Sequence, residues 1–108
     1  MTGNEYQERA LRTWHVPEIP YGDLMTGALG LCGESGEVAD HVKKFIAQGH
    51  ELDRVHIMEE LGDILYYVAV TAHSIGCGLD QVMDYNITKL WKRYPAGFSV
   101  ERSVNRDV

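Results

Sequence analysis

Two cysteines, three prolines and no apolar run of membrane-spanning length set the first limits on this 108-residue chain. Cys32 and Cys77 make no C-x-x-C pair, which argues against a disulfide framework or a thiolate metal knuckle and leads us to expect reduced thiols in a cytoplasmic compartment. The opening M-T-G-N-E-Y-Q-E-R-A lacks the apolar centre of a secretory signal, and no membrane association is expected. Basic residues are also scarce, 10 against 16 acidic ones, for a net charge of −6. A chain that meets nucleic acid usually shows a basic stripe, so no nucleic-acid partner is expected. A phosphate-bearing ligand would need a cation between itself and this surface.

What is present is ordinary globular composition, 44% hydrophobic and 24% charged, enough for one domain over residues 1–108. Strand-like alternation is missing and helical periodicity recurs four times. Asn4 is expected to cap a first helix that ends before Pro17. A second helix is expected from Asp23 to Gln48, with Leu24, Leu31, Val38, Val42 and Phe45 as its core stripe and Gly49 as its stop. Asp53 is expected to cap a third, reaching Gly76 with the stripe Leu61, Leu65, Val68, Ala72 and Ile75. A fourth, Asp80 to Tyr94, presents Met83, Ile87 and Leu90. Residues 99–108 show no period and are expected to be an extended tail or an arm onto a neighbouring subunit. The class is all-α, a four-helix-bundle-like domain.

The second helix contains G-A-L-G-L-C-G-E-S-G-E-V-A-D, a glycine at every third position from Gly27 to Gly36. It is not a nucleotide loop. Gly36 is followed by Glu37 where a Walker loop needs Lys, and no strand precedes the run. Inside a helix each glycine costs roughly 0.5–1 kcal/mol against alanine. Two reasons for that cost stand open, close approach of another helix and room for a ligand against the backbone.

Acidic residues supply the chemistry. Glu34 and Glu37, and Glu60 and Asp63, are i, i+3 pairs, each on one side of its helix. If the second and third helices form an antiparallel hairpin about Gly49–Leu52, facing residues have a constant sum of residue numbers. Glu34 then faces Asp63, and Glu37 faces Glu60. Four carboxylates converging there repel one another unless protons or cations intervene. Their hard oxygens suit Mg²⁺ or Mn²⁺. His41 and His56 face each other one turn nearer the hairpin. They suggest an alternative, a dinuclear iron or manganese carboxylate bundle, although the Glu-to-His spacing is four where such bundles use three. A non-catalytic helical interaction module is a second alternative. Lys44 shares the face of Glu37, and Tyr67 that of Glu60 and Asp63. On the fourth helix Asn86, Lys89 and Arg93 share a polar face, either solvated or a clamp for phosphate. Trp14 and Trp91 are expected as core or interface anchors.

The runs A-L-G-L-C-G-E-S-G-E-V-A-D-H-V-K-K, E-E-L-G-D-I-L-Y-Y-V-A and N-I-T-K-L-W-K-R-Y-P-A-G-F, in this order, resemble the MazG-like nucleotide pyrophosphohydrolases of the all-α NTP pyrophosphohydrolase superfamily. The resemblance runs from about Tyr6 to Arg106. It implies that Glu34, Glu37, Glu60 and Asp63 are the Mg²⁺ ligands and catalytic acids. It implies substrate contacts at Asn86, Lys89, Arg93 and Tyr94, and positions near the nucleotide for Lys44 and Tyr67. It further implies a homodimer or homotetramer whose bundle is completed across subunits. The implied reaction is hydrolysis of a nucleoside triphosphate between the α and β phosphorus atoms, with Glu37 or Glu34 acting on the attacking water.

Overall fold

The turn at residues 48–53 makes the fold. In the computed structural model, which describes residues 1–106, it joins two long helices into a hairpin. These are α2 (Gly22–Ala47) and α3 (Arg54–Ser74). Gly49 takes the left-handed φ of +73° that a helix stop needs, and the N–H groups of Gln48 and His50 both donate to the Lys44 carbonyl. Asp53 is the expected cap of α3, its Oδ1 accepting the His56 N–H at 3.0 Å. Around the hairpin stand α1 (Gly3–Ala10), a single 3₁₀ turn at Leu11–Thr13, α4 (Leu79–Arg93) and α5 (Val100–Val104). Among the described residues there is no strand beyond an isolated bridge between Pro95 and Gly97, so the all-α expectation holds.

Two expectations need correction. The cap of α1 is Thr2, whose hydroxyl accepts the Glu5 N–H at 3.1 Å. Asn4 instead accepts the Asp80 N–H at 2.9 Å, tying α1 to the first turn of α4. Local spacing suggested a cap for its own helix, whereas the actual partner is 76 residues away. Asn4→Ala should therefore destabilise the fold by about 1 kcal/mol by orphaning a helix-start donor. Thermal unfolding is the check, and an unchanged midpoint would contradict the assignment. The segment after Phe98 is not wholly irregular either. Ser99 caps α5, and Arg102 folds back on α4, donating from Nε to the Arg93 carbonyl at 2.6 Å. Residues 107–108 of the expected tail lie outside the described residues.

The core is small. Ala69, Val70, Ala72 and Leu79 are buried, together with one polar residue, Gln7. The Gln7 amide donates to the carbonyls of Ala69 and Cys77 at 2.9 and 3.0 Å, and its oxygen accepts the Leu79 N–H at 3.3 Å. Fully satisfied, it joins α1, the end of α3 and the start of α4 without the penalty of a buried unpaired amide. The expected stripes are not all core. Val42, Phe45, Leu61, Leu65 and Ile75 are exposed on the hairpin, and Met83, Ile87 and Leu90 on α4. The radius of gyration, 16.9 Å, exceeds the roughly 13 Å of a compact chain of this length. Periodicity identified the apolar faces correctly; within one chain these faces lack a cover.

The glycine run divides in two. A Cβ at Gly27 would collide with the Thr71 hydroxyl and one at Gly30 with the Tyr67 ring, whereas Gly33 and Gly36 face open space. Three residues advance a helix by about 300°, so a stripe of that spacing turns away from its neighbour by about 60° per repeat. The first two glycines are thus explained by helix approach, and the last two are not.

Candidate active site

The hairpin brings three of the four expected carboxylates together. Single oxygens of Glu34, Glu60 and Asp63 all lie within 4.8 Å of one another. Glu37 sits outside this tight group but close enough to act electrostatically on both Glu34 and Lys44. Glu60 lies deep among them, its side chain 14% exposed, and its Oε2 is buried with no hydrogen-bond partner. Such an orphaned charged oxygen is costly unless a proton or a cation meets it. Glu34 registers the same crowding. A proton shared with Glu60, then burial, then the charges of Asp63, Glu60 and Glu37 hold its carboxyl above the usual range. Clustered hard oxygens, one of them buried and unsatisfied, fit a divalent cation of the Mg²⁺ type.

The neighbours sort themselves by geometry. The rings of His41 and His56 lie 5.0 Å apart, as the hairpin register implied. His41 turns its Nε2 to the Asp53 N–H at 3.2 Å, so this nitrogen is engaged away from the carboxylates. That removes one nitrogen ligand from the dinuclear iron reading. Lys44 pairs with Asp40 at 2.8 Å, and Lys43 takes the other oxygen of Asp40 at 3.2 Å. These bridges are exposed and contribute little to stability. They do hold a lysine within the field of Glu37. Tyr67 packs flat against Gly30 while Trp14 and Tyr66 meet its ring edge-on, at 6.4 and 5.2 Å between centroids.

One neighbour was not foreseen. The Tyr6 hydroxyl reaches towards the Gly62 carbonyl at 3.5 Å, and burial followed by the charge of Asp63 raises its pKa. Tyr6 is 56 residues from Gly62, on a helix outside the hairpin, so no spacing rule could have found it.

Of the residues expected from the fourth helix, Asn86, Lys89 and Tyr94 are placed by the cavities they line. Asn86 and Lys89 line a cavity of about 380 Å³ with Cys77, Gln81, Val82 and Tyr85. Tyr94 lines another of about 320 Å³ with Ile87, Leu90, Trp91 and Gly97. None of the acidic residues lines either cavity, and α4 packs mainly on α1 and α3. Trp91, expected as an anchor, is 66% exposed, whereas Trp14 is partly buried. Both cysteines are free. Among the described residues no helix is long and apolar enough to cross a membrane.

An antiparallel helical pair with carboxylates converging across it defines an all-α domain with an acidic site suited to a hard cation. The sequence profile of the MazG nucleotide pyrophosphohydrolase domain matches residues 24–98, a span holding Glu34, Glu37, Glu60, Asp63 and α4, and the chain belongs to this family. It is also 36% identical over 73 residues to the Gene 37 protein of Mycobacterium phage L5. That alignment covers 64% of this chain and 64% of the phage protein, so the chain spans less than two thirds of the relative it matches. No solved structure matches the chain significantly.

Proposed function

We propose that the chain, as one domain, hydrolyses (deoxy)nucleoside triphosphates between the α and β phosphates, yielding a monophosphate and pyrophosphate in nucleotide-pool control. The observation that carries this reading is the convergence of Glu34, Glu60 and Asp63 around a buried, unpartnered oxygen in a MazG-family hairpin. These three residues, with Glu37 beside them, would hold Mg²⁺, or Mn²⁺ in its place. A divalent cation supplies charge neutralisation for the phosphates and makes water more acidic.

The chain's own groups account for the remaining roles. Glu37, outside the tight oxygen cluster, is the carboxylate left to orient the attacking water and take its proton. Lys44 lies within reach of its field and offers charge to a phosphate. Tyr67, fixed by Gly30 and Trp14, offers a ring or hydroxyl to the nucleoside. Asn86, Lys89, Arg93 and Tyr94 would bind the departing pyrophosphate from α4 of a second copy, since the cavities that Asn86, Lys89 and Tyr94 line in the same chain include none of the clustered acids. The exposed Leu61, Leu65, Val42 and Phe45 beside the site supply an apolar face for that copy, in a homodimer or a dimer of dimers. Two free thiols suit a reducing, cytoplasmic setting.

A panel of canonical and modified triphosphates, incubated with Mg²⁺ and again with excess chelator, tests the reading. Monophosphate should form from at least one substrate and stop on chelation. Tight nucleotide binding with no turnover under any divalent metal would overturn it in favour of a binding module.

A further inference from the structure

The two histidines have no part in the roles above, yet their contacts form a chain that ends on Glu60. Asp53 begins it by capping α3, its Oδ1 accepting the His56 N–H at 3.0 Å. The Asp53 N–H in turn donates to Nε2 of His41 across the hairpin at 3.2 Å. The His41 ring lies against the His56 ring, 5.0 Å between centroids and tilted by 42°. His56 then presents its own Nε2 to Oε1 of Glu60, 3.6 Å away and one helical turn on. That separation is within ion-pair reach and a few tenths of an ångström beyond a hydrogen bond. The other oxygen, Oε2, is the buried atom that has no partner.

We infer that His56, held by His41, is a positioning residue that fixes the Glu60 carboxylate by Oε1 and leaves Oε2 committed to the cation. The inference rests on the metal-site reading of the hairpin and adds to it how Glu60 is aimed. Long acidic side chains lose rotamer freedom when they bind an ion, and a partner that has already fixed the carboxylate reduces that loss. Partners of this kind typically change metal affinity by about 10–100-fold. The arrangement also explains why the histidines sit at i+4 from Glu37 and i−4 from Glu60. At that spacing they lie one turn along the same face, stacked beside the cluster, with His41 engaged to the backbone of Asp53.

Mn²⁺ binding to the nucleotide-free protein, followed by electron paramagnetic resonance, tests this without reference to turnover. His56→Phe keeps the ring and its packing on His41 but removes the nitrogen. It should weaken Mn²⁺ binding by about tenfold or more, with little change in the metal-free unfolding temperature. His56→Gln, which restores an N–H on a flexible stem, should recover part of that loss. Glu60→Ala is the control and should weaken binding at least as much as His56→Phe. If Glu60→Ala weakens binding and His56→Phe stays within about twofold of the unmodified protein, the positioning role is wrong and the metal site stands. If Glu60→Ala itself leaves Mn²⁺ affinity unchanged, the metal-site reading falls and the positioning role with it.

Discussion

Glu60→Gln should nearly abolish Mg²⁺-dependent turnover while making the metal-free protein more stable. The two effects have one cause. The Glu60 side chain is 14% exposed, and its Oε2 is a buried acceptor with no donor, beside carboxyls of Glu34 and Asp63 within 4.8 Å. Leaving a buried acceptor in that state costs about 1–3 kcal/mol, and more when it is charged, and the amide removes the charge and gives Glu34 an N–H to accept. A gain of about 1 kcal/mol would raise the unfolding midpoint by roughly 4–8 °C in a domain of this size. The same change removes the ligand charge that the proposed reaction needs, and turnover should fall by roughly 10²–10³-fold, the cost of losing one preorganised electrostatic group. Opposite movements of stability and activity mark a functional site maintained at a structural cost. A variant that loses both would mean that Glu60 is a structural residue.

Gly30→Val should open the hairpin. A Cβ at Gly30 collides with the Tyr67 ring, and that ring is hemmed in by T-shaped contacts with Trp14 and Tyr66. Overpacking of this kind costs typically 1–3 kcal/mol, and the β-branch adds to it. Gly36→Ala makes the contrast, since its Cβ enters open space and alanine is the better helix former by roughly 0.5–1 kcal/mol. Chemical denaturation should therefore show Gly30→Val well below the unmodified chain and Gly36→Ala level with it or above. If Gly36→Ala also loses activity, the open half of the run lies against substrate or a second subunit.

The hairpin and its acidic site were legible in the sequence because both follow from counting. Asp53 and Gly49 marked the turn, and an antiparallel pair keeps facing residues at a constant number sum, which brought Glu34 to Asp63 and His41 to His56. Counting does not decide the place of Glu37, which stands at the margin of the cluster although Glu60 and Asp63, at the same i, i+3 spacing, both enter it. What stayed illegible was long-range and polar. The partners of Asn4 and Gln7 lie on helices far along the chain, where no local pattern distinguishes a cap from a crosslink. The exposed Leu61 and Leu65 show a second limit, because periodicity tells which face is apolar and not which molecule covers it.

Turnover of a triphosphate in ¹⁸O-labelled water with Mg²⁺, followed by ³¹P NMR, tests the central claim most directly. Attack at the α phosphorus places the label in the monophosphate and leaves the pyrophosphate unlabelled, and chelation of the metal stops both signals. Orthophosphate as the first product, label in the pyrophosphate, or turnover that survives the chelator would contradict the account.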